Sequence, residues 1–578
     1  MQGSPRPDPS PPPALQVAAQ ALFRQSAVVT TIYATLGADG VRFGLNQTHT
    51  RVVVTDAKLL ANAHEIKPHC MDVKHIVSIG QPEAEHLAKL KAVRPDIQVH
   101  VFEDLVAAGR AAPAKVAAVP PKPDDKAVIM YTSGTTGAPK GVVISHKAVC
   151  ASMAGLKAAS DFTCEDVYLA YLPLAHIMEM AAETVMFAIG CAIGYGGPQT
   201  LIDTGLKLAP GVKGDAPTLQ PTFMVFAPTV LDRVRTAVTA KFKAMPGPLG
   251  AVFHSALAAG NEEFDAGRIG APPLWNLPLR LVQKMLGGRV RIMVSGSAPL
   301  SAETQKFVQT VFNCPVRQGY GLTETCSAGT IGAFDDNTWN AGRVLVSAKI
   351  KLLDWEEGNY RVADEHNPAI GVPRGEILVG GPIVADGYYQ DPSAPDPELD
   401  AKNKSDFSVD PVDGTRYFHT GDVGEMTAQG CLRIIDRKKD LVKLQMGEYV
   451  ALSKVENALK LSPFVEMALC YALSSKSNTV ALICPNQKAL VAWGEANGLP
   501  AATTSYDALC ASPQALAEVK ASCLAACKSK LVAFETPTKY ALVADPWTPD
   551  NDCLTAAMKL KRQVIQKRHA KELTELYK

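Results

Sequence analysis

No hydrophobic run long enough to cross a bilayer, no paired-cysteine motif and no excess of either charge occurs in this sequence, and each absence closes a class of function. The first apolar stretch, Ala14 to Val29, is interrupted by Gln16, Gln20, Arg24 and Gln25, short of the ~20 clean residues that a spanning helix needs. Ala181 to Gly197 is the most apolar later segment, but it contains Glu183 and ends in glycines, so a buried helix followed by a strand is expected there. Lys plus Arg number 58 against 57 Asp plus Glu. That balance leaves no global field to attract nucleic acid or an anionic bilayer, so a polyanionic ligand must be held locally. The 13 cysteines stand singly; the closest pair, Cys523 and Cys527, has the i,i+4 spacing of a helix face, and no CxxC pair marks a zinc or redox site. They read as reduced thiols in a reducing compartment.

What is present is a chain of 578 residues with a mean hydropathy of +0.03, enough for several domains with sizeable cores. Residues 1–13 hold six prolines and almost no apolar side chains, a leader expected to be disordered. From Pro123 to about Gly321, short apolar runs end in Gly- or Pro-containing loops followed by helical segments: AVIMYT (127–132), VYLAYLP (167–173), TFMVFAP (222–228) and VRIMVSG (290–296). This alternation predicts an α/β domain of mostly parallel strands, with ligands gathered at the strands' carboxyl ends. Lys349 to His419 has the strand-and-turn texture of a small β subdomain. After Asp436 the charged run DRKKD precedes a stretch in which strands and helices alternate, a separate α+β domain with its boundary at Arg437. The basic residues between 556 and 578 read as a solvated helical face.

Three segments carry chemistry. Tyr131 to Gly141, YTSGTTGAPKG, brings the hydroxyls of Thr132, Ser133, Thr135 and Thr136, the glycines Gly134, Gly137 and Gly141, and Lys140 together in one loop. Glycines let backbone N–H groups converge on a polyanion, hydroxyls donate further hydrogen bonds and the lysine adds charge, so this is a phosphate-binding loop. It is expected directly after an apolar strand and before a helix capped by Ser145. It is no Walker A loop, because Ala138 and Pro139 separate Gly137 from Lys140 and Gly141 follows the lysine. In QGYGLTET (318–325), preceded by SGSAPL (295–300) with Gly296, Tyr320 between Gly319 and Gly321 offers an aromatic face to a base. Thr323 offers a hydroxyl, and Glu324 a ligand for a hard cation such as Mg2+. In YFHTGD (417–422), Asp422 has the acceptors a ribose diol requires, and Arg437 in IIDRKKDLVK (434–443) can donate to ribose or phosphate.

These residues resemble the adenylate-forming enzyme superfamily, and within it the long-chain acyl-CoA synthetases (long-chain fatty acid CoA ligases). YTSGTTGAPKG, YLPLAHIME, GYGLTET, HTGD, DRKKDLVKLQMGEYV, PNQK and LTAAMKLKR match that family's motifs in order, and KIKLLDWEEGNY is similar to its eukaryotic branch. The resemblance implies a large multi-subdomain α/β domain (14–436), incomplete at its start because the family carries more chain before the phosphate loop, and a small mobile C-terminal domain (437–578). It also implies a two-step reaction in which a fatty-acid carboxylate attacks the α-phosphate of ATP and the thiol of coenzyme A then displaces AMP. By similarity the Thr132 to Lys140 loop grips the β- and γ-phosphates, Thr323 the α-phosphate and Glu324 the Mg2+. Tyr320 stacks on adenine, and Asp422 with Arg437 takes the ribose. His176 in YLPLAHIME lies at the carboxylate and thioester site. Lys559 bridges carboxylate and α-phosphate, with Lys561 as the alternative, and Lys439 aligns with the hinge. Peripheral contact with a membrane, at the cytoplasmic side of the endoplasmic reticulum or a similar organelle, goes with the lipid substrate. Two other readings stand beside this one: an adenylating ligase for another carboxylic acid, and a truncated, inactive paralogue that binds nucleotide or acyl-CoA.

Overall fold

The computed structural model describes residues 13–33, 36–62, 70–132, 139–203, 205, 207–209, 211–243, 248–334, 338–499, 504–549, 551–555 and 558–578. Residues 1–12 of the proline leader lie outside this set, as do Ser133, Gly134, Thr135, Thr136 and Gly137 of the expected phosphate loop.

Among the described residues the strands fall into several sheets. β1 (Val29–Thr31) precedes a parallel three-stranded sheet of β2 (Val52–Asp56), β3 (His75–Ile79) and β4 (Gln98–Val101). β5 (Lys126–Thr132) pairs in parallel with β1 and antiparallel with β6 (Lys140–Ser145). Next come β7 (Val167–Ala170), β8 (Ala192–Tyr195), β9 (Phe223–Phe226), β10 (Ile292–Ser295), β11 (Val316–Tyr320), β12 (Thr330–Ile331) and β13 (Arg343–Val344). They form one sheet in the order β13-β12-β11-β10-β9-β7-β8, parallel from β11 to β8 and antiparallel at β12 and β13. The Ile177–Ile189 helix crosses from β7 to β8, as the apolar run from Ala181 predicts. β14 (Lys349–Leu353), β15 (Arg374–Gly380), β17 (Phe407–Val409), β18 (Arg416–Met426) and β19 (Leu432–Arg437) build the expected β subdomain, while β16 (Gly387–Tyr388) adds to the edge of β6.

Two expectations are corrected. The AVIMYT strand does not join the sheet of β7, β9 and β10; it belongs to the β1-β5-β6-β16 sheet. The phosphate-loop segment does not run from strand to helix either. β6 intervenes, and Thr132 pairs with Lys140 across a hairpin before Ser145 caps the His146–Ala158 helix by accepting from the Ala148 N–H at 3.3 Å. The physical reason is the β-branched run Val142, Val143 and Ile144, whose buried side chains suit a strand paired on both sides.

After β19 come the short hairpin of β20 (Leu441–Lys443) and β21 (Tyr449–Ala451) and a sheet of β22 (Val465–Ala472), β23 (Thr479–Pro485) and β24 (Lys539–Leu542). Two apolar clusters pack on opposite sides of this sheet and draw only on residues from Val442 onward. The clusters on the large parallel sheet and on the β subdomain draw only on residues up to Ile434. A small cluster with Val423, Leu441 and Ala451, flanked by Trp355 and Tyr449, sits at the junction.

Candidate active site

The carboxyl ends of β7, β10 and β11, parallel strands of one sheet, deliver the first residues of the site. The chain leaves β7 through Leu172–Pro173 and starts the Ile177–Ile189 helix with His176 as its N-cap, whose Nδ1 accepts from the Met178 N–H at 3.1 Å. Because Nδ1 is the acceptor, the ring proton of a neutral His176 sits on Nε2, and that atom faces the Ser297 hydroxyl at 3.3 Å, just beyond β10. Burial, reinforced by Lys559, pushes His176 down to about 4, so the ring is neutral at physiological pH. Glu179 of the same motif turns inward instead: it is fully buried, Tyr168 donates to it at 2.9 and 3.0 Å, and burial pushes its carboxyl well up. It pins the helix whose first turn carries His176. Gly296 lies beside Met178, where a Cβ would press on its sulfur at 3.0 Å.

β11 ends at Tyr320, and the chain turns through Gly321 into the one-turn helix Thr323–Thr325. A Cβ on Gly321 would meet the Ser327 carbonyl oxygen at 2.4 Å, so no larger residue fits this turn. The Tyr320 hydroxyl donates to Asp422 Oδ2 at 2.7 Å, and the other oxygen of Asp422 pairs with Arg437 Nε at 3.1 Å. Asp422 and Arg437 face each other across β18 and β19, which is why two residues separated by the Gly430 turn meet. The half-buried Thr323 side chain makes no hydrogen bond among the described residues.

Glu324 projects from the same turn. Its carboxyl accepts from the Tyr388 hydroxyl at 3.1 Å, and burial raises its pKa against the opposing pull of that bond. The same hydroxyl proton is shared with Asp406 at 3.1 Å, which Lys402 pairs at 2.7 Å, and Lys140 lies over the Tyr388 ring at 5.4 Å. Among the described residues no group of three or more His, Cys, Asp or Glu side chains is arranged to hold a metal. A closed protein cage is therefore not formed. Mg2+ does not need one, since it commonly keeps water and takes substrate phosphates with one or two carboxylates. A half-buried carboxylate with a single phenol partner fits that requirement.

Lys559 comes from the far end of the chain. It follows Met558, held at φ 61°, and the strand-like bridge of Leu554 with Leu560, and its N–H donates to Thr555 Oγ1 at 3.1 Å. Burial and the neighbouring Arg437 push its ammonium down to about 8, while Asp422 and Glu324 pull the other way. Lys561 instead pairs with Asp552. Lys439 lies exposed in the turn Lys438–Asp440; Lys438 pairs with Glu376 at 2.5 Å and Asp440 with Arg562 at 3.3 Å.

His176, Gly296, Tyr320, Gly321, Thr323, Glu324, Asp422, Arg437 and Lys559 thus converge, with Thr132 and Lys140 at the base of the loop hairpin. Sequence reasoning missed Ser297, Tyr388 and Asp406. Ser297, beside Gly296, was within reach of a motif; Tyr388 and Asp406 carried no local signal because they act only through a partner brought in by the fold.

The family model described as AMP-binding enzyme matches residues 11–389. The chain belongs to the AMP-binding enzymes. Long chain acyl-CoA synthetase 8 of Arabidopsis thaliana is 39% identical over 571 residues, covering 97% of this chain and 76% of its own length. Long-chain-fatty-acid--CoA ligase 1 of Schizosaccharomyces pombe is 35% identical over 569 residues, with 97% of this chain and 79% of its own length covered. Within the family, the chain groups with these long-chain acyl-CoA synthetases. Among solved structures, the A domain of carboxylic acid reductase from Segniliparus rugosus, in complex with AMP and a co-purified carboxylic acid, superposes with a TM-score of 0.75 at 22% identity. It covers 98% of this chain and 81% of its own length and shares the fold.

Proposed function

We propose that this enzyme converts ATP, a long-chain fatty acid and coenzyme A into acyl-CoA, AMP and pyrophosphate through an acyl-adenylate. A carboxylate oxygen attacks the α-phosphorus and the bond to pyrophosphate breaks; the thiol then gives up its proton, its sulfur bonds to the acyl carbon, and AMP leaves. The observation that carries this reading is the convergence of Lys559 with Arg437, Asp422, Glu324 and His176, contributed by distant stretches of chain.

A carboxylate approaching a triphosphate meets repulsion that only fixed positive charge and donors can offset. Lys559 and Arg437 supply that charge, Lys140 with the Thr132 to Lys140 loop holds the β- and γ-phosphates, and Thr323 donates to the α-phosphate. Asp422 accepts from the ribose hydroxyls, and Tyr320, tethered through its hydroxyl, presents its ring to adenine. Glu324 would hold Mg2+, which supplies neutralisation of the phosphate charge when bound. His176, too weak a base near 4 to take the thiol proton, donates from Nε2 and orients the carboxylate. The part beyond Lys439 moves as a unit about that residue, so that Lys559 serves adenylation and withdraws for the thiol. Contact with a membrane surface supplies the lipid substrate.

Pyrophosphate release measured with oleate, octanoate and coumarate tests the reading. Release with oleate, lowered by Lys559→Ala roughly 10²–10³-fold, is expected. Faster release with coumarate would make it a ligase for another acid, and no release with any acid would leave only nucleotide or acyl-CoA binding.

A further inference from the structure

We propose that the outward face of the Pro273–Gln283 helix docks this protein on an anionic lipid surface. Leu279 and Val282 bury one side of that helix in the core of the large sheet. On the other side Leu274, Leu277 and Leu281 are 77%, 60% and 56% exposed. The i, i+3, i+7 spacing sets the three leucines in one stripe along the helix. Isolated exposed leucines are ordinary, whereas a stripe of them marks an interaction surface.

The charges around the stripe choose the partner. From Ala266 to Ala302 the sequence has no Asp or Glu and five Lys or Arg. Arg268 pairs with Glu263, and Arg291 with Asp161 and Asp166. Arg280, Lys284 and Arg289 have no ion pair among the described residues, and all three are exposed. Arg280 and Lys284, each three residues beyond a leucine of the stripe, border it along one edge, so the apolar strip has uncommitted cations at its side. This is the pattern of a helix that lies in a bilayer interface with its apolar face among acyl chains and its cations at anionic headgroups. A second copy of the chain is the poorer fit, since a two-fold contact through this face would oppose the same cations to one another. The net charge of +1 is no obstacle, because surface attraction acts within a Debye length.

The test is co-sedimentation of the full chain with phosphatidylcholine vesicles containing about a third phosphatidylserine, and with pure phosphatidylcholine. Wild type is expected to pellet with the anionic vesicles. The triple variant Leu274→Ser, Leu277→Ser, Leu281→Ser should bind at least tenfold more weakly. Arg280→Glu with Lys284→Glu should lose its preference for anionic vesicles at low salt. The second variant leaves every apolar contact in place, so its result stands even if the first fails to fold. Pyrophosphate release from octanoate, a soluble acid, should be unchanged in both. Failure of wild type to pellet, or binding by the charge variant equal to wild type, overturns the proposal. So does a wild-type dimer in sedimentation velocity that the charge variant leaves monomeric, which would make this face a contact between copies.

Discussion

An ammonium stripped of water beside another cation holds its proton less firmly, and that is the situation of Lys559, pushed down to about 8 from the usual lysine value. The sign follows directly: the charged form needed against the triphosphate is present below about 8 and disappears above it. The kcat/KM for ATP, which reports groups of the free enzyme, should therefore fall as pH rises through about 8. Lys559→Arg should abolish that falling limb, because a guanidinium does not deprotonate there. A pH profile of pyrophosphate release checks both. Glu324 depends on a different neighbour: the Tyr388 hydroxyl draws its pKa down against burial. Tyr388→Phe removes that donor, leaving the carboxyl harder to ionise, so the Mg2+ concentration for half-maximal rate should rise several-fold. Titration with Mg2+ at fixed ATP measures it; an unchanged midpoint would separate Glu324 from the metal.

At the scale of elements, parallel strands explain why the site forms where it does. β7, β10 and β11 are neighbours or near neighbours in one sheet and point the same way, so the loops after them share one edge. The sequence announced this edge through the runs ending at Pro173, Gly296 and Tyr320. It did not announce that the phosphate loop closes a hairpin, because the sequence pattern does not tell whether a β-branched run after a glycine-rich loop pairs back on the preceding strand. The turn Lys438–Asp440 is the element that carries the proposed hinge. Buried Asp436 just before it accepts from the Ser453 N–H at 3.1 Å and its hydroxyl at 3.0 Å, and Asp440 pairs with Arg562, so the turn is tied to the chain beyond it on both flanks. Lys439, exposed between these ties, is the position we propose to absorb a backbone rotation. Lys439→Pro, which fixes φ, should slow thioester formation more than adenylation in single-turnover measurements of the two steps. Equal slowing would remove the hinge from this turn.

For the whole molecule, the approach of Lys559 depends on how the part that carries it is held. Arg233 Nε pairs with Glu466 at 2.8 Å, Arg235 donates to the Lys460 carbonyl at 3.1 Å, and Lys530 pairs with Glu303. The two ion pairs are partly exposed, a class of contact that contributes little each and is weakened by salt. A docking that weak suits the movement proposed above. Arg233→Glu should lower the adenylation rate roughly two- to fivefold, leave thiolysis of supplied acyl-adenylate unaffected, and be rescued by Glu466→Arg. Partial-reaction assays of the single and double variants decide it, since a merely structural defect would slow both steps.

From the sequence alone come the candidates for the chemistry: the order of the motifs, the acceptors proposed for ribose, the loop proposed for phosphates and the two lysines are all short-range patterns whose residue types follow from charge and hydrogen bonding. That Asp552 engages Lys561, that the proton of a neutral His176 sits on Nε2, and that Tyr388 and Asp406 stand behind Glu324 come only from the tertiary structure. These are matters of distance between side chains far apart in sequence, and burial and Coulomb interactions act through space rather than along the chain.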